Sequence, residues 1–152
     1  MTAQLQNVKA MAQLSPYLTF NGNCQEAFDF YKSVFGGEYA TVMTYGQVPK
    51  NIPDTPQSSP DKLIHISLPI SAETILMGCD MPDAFGSAVF GNNFSISIAA
   101  ASADEADRLF TGLSKDGKIN MPMADSFWGA YFGMFTDKFG ISWMVSFDKS
   151  RQ

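Results

Sequence analysis

Two stretches of the chain carry apolar residues at helical spacing, and both are opened and closed in the same way. From Asn23-Cys24-Gln25-Glu26-Ala27 the stripe is Ala27, Phe30, Tyr31, Val34 and Phe35, ending at Gly36-Gly37. From Ser102-Ala103-Asp104-Glu105-Ala106 it is Ala106, Leu109, Phe110 and Leu113, ending near Gly117. Asn23 with Glu26, and Ser102 with Glu105, have capping-box spacing: the cap side chain accepts from an orphan N–H and the glutamate reaches back. Two amphipathic helices are predicted, each stopped by glycine.

Outside the helices the pattern changes to short strand-like runs. One precedes each helix, Tyr17 to Phe20 and Phe94 to Ala100, and three follow. In the first half these are Tyr39 to Tyr45, Leu63 to Pro69 and Thr74 to Cys79; in the second, Lys118 to Met123, Trp128 to Phe135 and Ile141 to Phe147. The order is βαβββ twice. Cap, stripe, stop and strand order all recur, which favours a duplication over a chance pair of helices. The fold class is α+β: two βαβββ modules, residues 15–82 and 92–149, in one domain spanning 15–152, with 1–14 as an N-terminal extension in which Met11 is a possible second start. Residues 80–93, rich in Gly, Asn and Pro, link the modules as a loop.

Alternation within the strands sorts the side chains into two faces. Ile64, Ile66 and Leu68, Ile96 and Ile98, and Trp143, Val145 and Phe147 form a bulky apolar face suited to lie beneath helices. The opposite parity carries hydroxyls, methionines and the single histidine: His65, Ser67, Ser95, Ser97, Ser142 and Met144, joined on the same logic by Tyr17, Thr19 and Met77. This second face is expected to line a cavity. Six of the nine methionines (Met43, Met77, Met121, Met123, Met134 and Met144) lie in or beside strands; they read as ordinary core or as an adaptable apolar cleft.

The paired modules resemble the vicinal oxygen chelate superfamily of glyoxalase, bleomycin-resistance and dioxygenase proteins. Three stretches, PYLTFNGNCQEAFDFYKSVFGG, FGNNFSIS and DSFWGAYFGMFTDKFGISWMV, resemble its PhnB-like branch, and the match runs from Pro16 to Asp148. The resemblance implies a curved mixed sheet around a shared concave cavity, helices outside, and a homodimer. It also implies four strand positions where metal-dependent members chelate; these fall at Pro16 or Tyr17, Met77 or Gly78, Ser95, and Met144. None is an ordinary ligand for a divalent ion, and His65 is the chain's one imidazole, so neither metal nor cofactor is expected.

The remaining chemistry is sparse, and no catalytic residue is assigned. A triad of His65, Ser67 and Asp80 lacks a nucleophile elbow. Asp80 and Asp125, at strand ends, read as turn and edge caps. There is no Walker loop and no G-x-G-x-x-G, so the methyltransferase description often given to PhnB-like proteins lacks a glycine-rich cradle for S-adenosylmethionine. In Ser126 to Val145, Trp128 and Phe132 are candidates for a cavity wall or dimer contact, and Trp143 for packing under a helix. Residues 46–62, with four prolines, read as a lid, a dimer arm or a plain connector.

Composition narrows the partners. Ten Lys and Arg against fifteen Asp and Glu, net charge −5, argue against nucleic acid. No apolar run approaches the ~20 residues of a membrane span, and the first residues lack a secretory pattern. The two cysteines, Cys24 and Cys79, stand in no paired motif, which favours reduced core thiols and a cytoplasmic location. The expected protein is a non-metal homodimer that binds an apolar or amphipathic small molecule. A metal-dependent glyoxalase or dioxygenase-type enzyme, and a scaffold with a vestigial cavity, are the alternatives.

Overall fold

The computed structural model describes residues 12–151, so the expected extension lies largely outside the described residues. Its elements run β1 (Tyr17–Phe20), α1 (Cys24–Phe35), β2 (Thr41–Thr44), β3 (Leu63–Pro69), β4 (Ile75–Asp80), β5 (Ile96–Ala99), α2 (Ala103–Ser114), β6 (Lys118–Asp125), β7 (Ala130–Thr136) and β8 (Ser142–Asp148). The order is βαβββ twice, as the sequence predicts. The strands form two four-stranded sheets, one from each module, β1-β4-β3-β2 and β5-β8-β7-β6. In each, the first strand of the module pairs in parallel with the last and the other pairings are antiparallel. Pro122 interrupts β6, which is tolerated because β6 is an edge strand and bulged on both sides of Met121.

The helices cover the apolar faces. Phe28 of α1 lies on Gly78 and Phe110 of α2 on Gly133; a Cβ at either glycine would come within 2.8 Å of the ring above it. Gly133, in the FWGAYFGM run, thus seats an aromatic from its own module's helix. Phe20, Phe28, Tyr31, Phe135 and Trp143 are all removed from solvent. Each such side chain contributes roughly 1.5–3 kcal/mol relative to exposure. The two helices also meet: Gly112 packs on Val34, and the Arg108 guanidinium donates to the Val34 carbonyl at 3.0 Å, in the last turn of α1.

Of the two predicted capping boxes neither closes fully, but the Ser102 half forms, with its glutamate reaching one residue past the cap. Ser102 Oγ accepts from the Glu105 N–H at 3.0 Å, and Glu105 Oε1 accepts from the Ala101 N–H at 3.0 Å. Asn23 makes no side-chain cap. The carboxylate of Asp80, at the end of the parallel neighbour β4, takes its place by accepting from Gly22 N (2.9 Å) and Cys24 N (3.0 Å). A charged acceptor that is already buried there outcompetes a neutral amide.

Candidate functional site: the open faces of the sheets

On the faces turned away from the helices, the strand registers align the polar and sulfur-bearing side chains in rows. In the first module Tyr17, Met77 and Ser67 are successive cross-strand partners over β1, β4 and β3, and His65 is partnered by Met43 of β2. In the second, Ser97, Met144, Met134 and Met121 form a row over β5, β8, β7 and β6, with Ser146 beside Phe132 and Ser142 beside Thr136 in parallel rows. Ser95 precedes β5; the residue opposite Met144 is Ser97.

The polar centre of the first wall is a contact between Tyr17 and His65. Their rings stack at 5.7 Å between centroids, and Tyr17 Oη lies 3.1 Å from His65 Nδ1. Partial burial and the adjacent Cys79 push the Tyr17 phenol well above its ordinary range, so it stays protonated. Thr19 Oγ1 lies 3.9 Å from Cys79 Sγ. The sequence placed both cysteines in the core; Cys24 is there, its thiol pushed up by burial, whereas Cys79 is half-buried on the opposite face. Cys79 shares the parity of Met77 on β4, which was the signal available for placing it on that face.

Between the modules lies a cavity of about 300 Å³. Tyr17, Thr19 and Ser142 supply its hydroxyls, while Val89, Phe90 and Phe94 of the linker supply apolar wall. The linker is held by paired bonds between the Asn21 side chain and the Ala88 backbone (2.7 and 3.2 Å) and by Phe90, which sits on Gly140 and tilts against Phe20. Sequence reasoning treated Val89 and Phe90 as connection only and placed Phe94 in a strand, whereas β5 begins at Ile96; an aromatic in a Gly- and Asn-rich loop was the available signal. The cavity brings together Tyr17, Thr19 and Ser142 and, through Tyr17, adjoins His65 and Met77. It is not lined by Ser67, Ser95, Ser97, Trp128, Phe132 or Met144.

Trp128 lies outside β7, correcting its assignment to the strand. Ser126 closes a tight turn, its Oγ donating to the Ala130 carbonyl (2.7 Å) and accepting from the Ala130 N–H (3.1 Å), while Gly129 supplies the positive φ of 91°. Trp128 therefore stands at a hairpin tip, 57% exposed, edge-on to Phe132.

Both buried carboxylates of the site region are structural. Asp80 also accepts from Leu63 N (2.9 Å), tying three segments together. Asp137, in the TDKFG turn, accepts from Tyr31 Oη (2.6 Å), Trp143 Nε1 (2.8 Å), Phe139 N (2.8 Å) and Ile141 N (3.1 Å). This joins α1 of one module to the turn of the other, and it accounts for the conjunction of Asp137 and Trp143 in that stretch. Asp125 pairs with Lys149 at 2.6 Å.

Of the four slots that the resemblance implied for a metal, Tyr17 stands opposite Met77, while Met144 stands opposite Ser97 and not the expected Ser95. A neutral phenol, a hydroxyl and two thioethers do not suit a hard or borderline divalent ion. Among the described residues no three His, Cys, Asp or Glu side chains are grouped to hold a metal, and no helix is long and apolar enough to cross a membrane.

Paired βαβββ modules with open-faced sheets are the fold shared by solved glyoxalase/bleomycin resistance/dioxygenase structures. The chain belongs to the PhnB-like family, whose model, described as 3-demethylubiquinone-9 3-methyltransferase, matches residues 12–146. Protein YjdN of Escherichia coli K12 is 32% identical over 145 residues, covering 91% of this chain and 97% of its own. The structure of PA1353 from Pseudomonas aeruginosa is 39% identical with a TM-score of 0.79, covering 90% of this chain and 98% of that one. A PhnB protein of Bacillus cereus shares the fold at 24% identity and a TM-score of 0.69, over 90% of this chain and 99% of that one.

Proposed function

We propose that this chain is a cytoplasmic homodimer that binds an apolar or amphipathic small molecule on the open faces of its sheets, without a metal ion. The observation that carries this reading is the composition of those faces: thioethers, hydroxyls and aromatic rings in cross-strand rows, next to a cavity walled by Phe90 and Phe94. Methionine surfaces adapt to varied apolar ligands, and a few hydroxyls orient them. The dimer is supported by the apolar side chains left in solvent on or beside the same faces, among them Met43, Met121 and Trp128.

Methyl transfer fits poorly. S-adenosylmethionine needs free backbone donors at a glycine-rich strand-to-helix turn. In the β1–α1 turn the Gly22 and Cys24 N–H groups are already taken by Asp80.

Titration with Nile red, an uncharged fluorescent dye, tests the binding reading. Saturable blue-shifted emission is expected, with the affinity lowered about tenfold by Phe94→Asp, the effect of losing one buried apolar contact of about 1.4 kcal/mol. Phe94 is exposed and outside the core, so the melting midpoint should stay put. Non-saturable emission, or an affinity indifferent to Phe94→Asp, contradicts the assignment.

A further inference from the structure

One residue joins the inter-module cavity to the polar centre of the first wall. Tyr17 lines the cavity, and its Oη lies 3.1 Å from Nδ1 of the half-buried His65, the two rings stacked. Whichever group donates in that bond, the pair keeps one hydrogen to give away. If the phenol donates to Nδ1, a neutral imidazole carries its proton on Nε2; if Nδ1–H donates to Oη, the phenol hydrogen is free. Among the described residues no other side-chain hydrogen bond engages His65. The pair therefore offers an unused donor at the rim of an apolar cavity.

We propose that Tyr17 and His65 are the polar anchor of this cavity and select an uncharged amphiphile headed by a carbonyl oxygen. His65 Nδ1–H donates to Tyr17 Oη, and the Tyr17 hydroxyl donates to the ligand carbonyl. Tyr17 touches the ligand, while His65 is a positioning residue that fixes the phenol and polarises its hydrogen. This inference rests on the binding reading above and adds to it the head group and the residues that choose it.

The ligand class follows from the surroundings. Among the described residues none that lines the cavity carries a charge. Met77 and Ser67, next along the row from Tyr17, are uncharged as well. The Lys138 ammonium, two residues before Gly140 of the lining, lies over the Phe30 and Phe139 rings at 4.5 and 5.4 Å. The Asp80 carboxylate is buried and satisfied by three backbone N–H groups. A carboxylate or ammonium head would thus lose water without gaining a counter-ion. The tail belongs against Val89, Phe90 and Phe94. A volume of about 300 Å³ limits the ligand to on the order of ten heavy atoms, if each takes the ~30 Å³ of a liquid water.

The test compares the dissociation constants of hexyl methyl ketone, octanoate, octylammonium and toluene for the full chain at pH 7, by saturation-transfer NMR. The ketone is expected to bind about tenfold or more tightly than either ion. Tyr17→Phe should weaken the ketone by about tenfold, the loss of one hydrogen bond in an apolar site, and leave toluene, which has no acceptor, unchanged. His65→Ala should give a smaller loss for the ketone and again spare toluene, whereas a packing role would weaken both ligands alike. An ion bound as tightly as the ketone, or a Tyr17→Phe change that affects ketone and toluene equally, overturns the proposal. Melting curves verify that each variant is folded, and Tyr17→Phe keeps the ring and so the shape of the wall. If Nile red binds and the ketone does not, the anchor falls and the binding reading stands; if neither binds, both fall.

Discussion

Asp137→Ala is expected to destabilise the protein by about 3–5 kcal/mol, the usual penalty for removing one partner from a buried charged network. The carboxylate is 3% exposed and accepts four hydrogen bonds. Alanine would leave the Tyr31 hydroxyl and the Trp143 indole N–H buried without acceptors, each a desolvation cost of about 1–3 kcal/mol. In a domain of this size the loss corresponds to a fall in melting midpoint of roughly 6–20 °C, readable by circular dichroism. Asp137→Asn turns an NH₂ group toward one pair of donors and should fall between alanine and the native protein. A double-mutant cycle with Tyr31→Phe should show coupling, because the two groups share a bond across the module boundary. A fall in midpoint of less than about 2 °C would show that the modules are held together by apolar packing alone.

The same latch fixes a pH dependence. Burial, and then the Asp137 charge, hold the Tyr31 phenol well above its ordinary value. The folded state therefore keeps its proton where the unfolded chain begins to lose it, above about pH 10. This contribution to stability is complete below that pH and is lost as pH rises beyond it.

Asp80→Ala should have the next largest effect, about 3 kcal/mol, because three buried or part-buried N–H groups lose a charged acceptor at once. One of them is Cys24 N, so the start of α1 loses both its cap and the negative charge that complements the helix dipole. Asn23→Ala, by contrast, should cost less than about 0.5 kcal/mol, since that side chain caps nothing, while Ser102→Ala should cost about 1 kcal/mol. Urea denaturation of the three variants separates these outcomes. Equal losses for Asn23→Ala and Ser102→Ala would mean that α1 is capped locally after all.

Local periodicity carried most of the fold. The alternation of Trp143, Val145 and Phe147 needs only one buried face to be read correctly, and the structure buries that face; on α1 it buries Ala27 and Tyr31 of the stripe together with Phe28, which the stripe omitted, and leaves Phe30, Val34 and Phe35 half-buried. The duplicated order was legible because it repeats such signals. What could not be read were bonds whose partners are distant in sequence. Asn23 has the spacing of a cap, and nothing local reveals that a carboxylate 56 residues from Cys24 takes its place. Tyr31 and Asp137 are 106 residues apart, and an apolar stripe gives no reason to single out the hydroxyl of one of its members. Trp128 was misplaced because aromatic content resembles a strand, whereas Gly129 with Ser126 makes a turn.

The candidate site was legible by parity but not in extent. Tyr17, Thr19, His65 and Ser142 share the expected faces, yet the cavity between the modules is completed by the linker residues Val89, Phe90 and Phe94. Their irregular backbone has no period from which an orientation could be derived.

The central claim, a binding face that works through apolar contact and not through a divalent ion, is tested most directly by thermal melting of chelator-treated protein. A ligand that binds the folded state must raise the midpoint by mass action. With Nile red in large excess over its dissociation constant a rise of several degrees is expected, while Zn, Mn, Co, Ni and Fe(II) at the same protein concentration should leave the midpoint unchanged. A saturable rise with one of these metals, lost in His65→Ala, together with no response to the dye, would contradict the account.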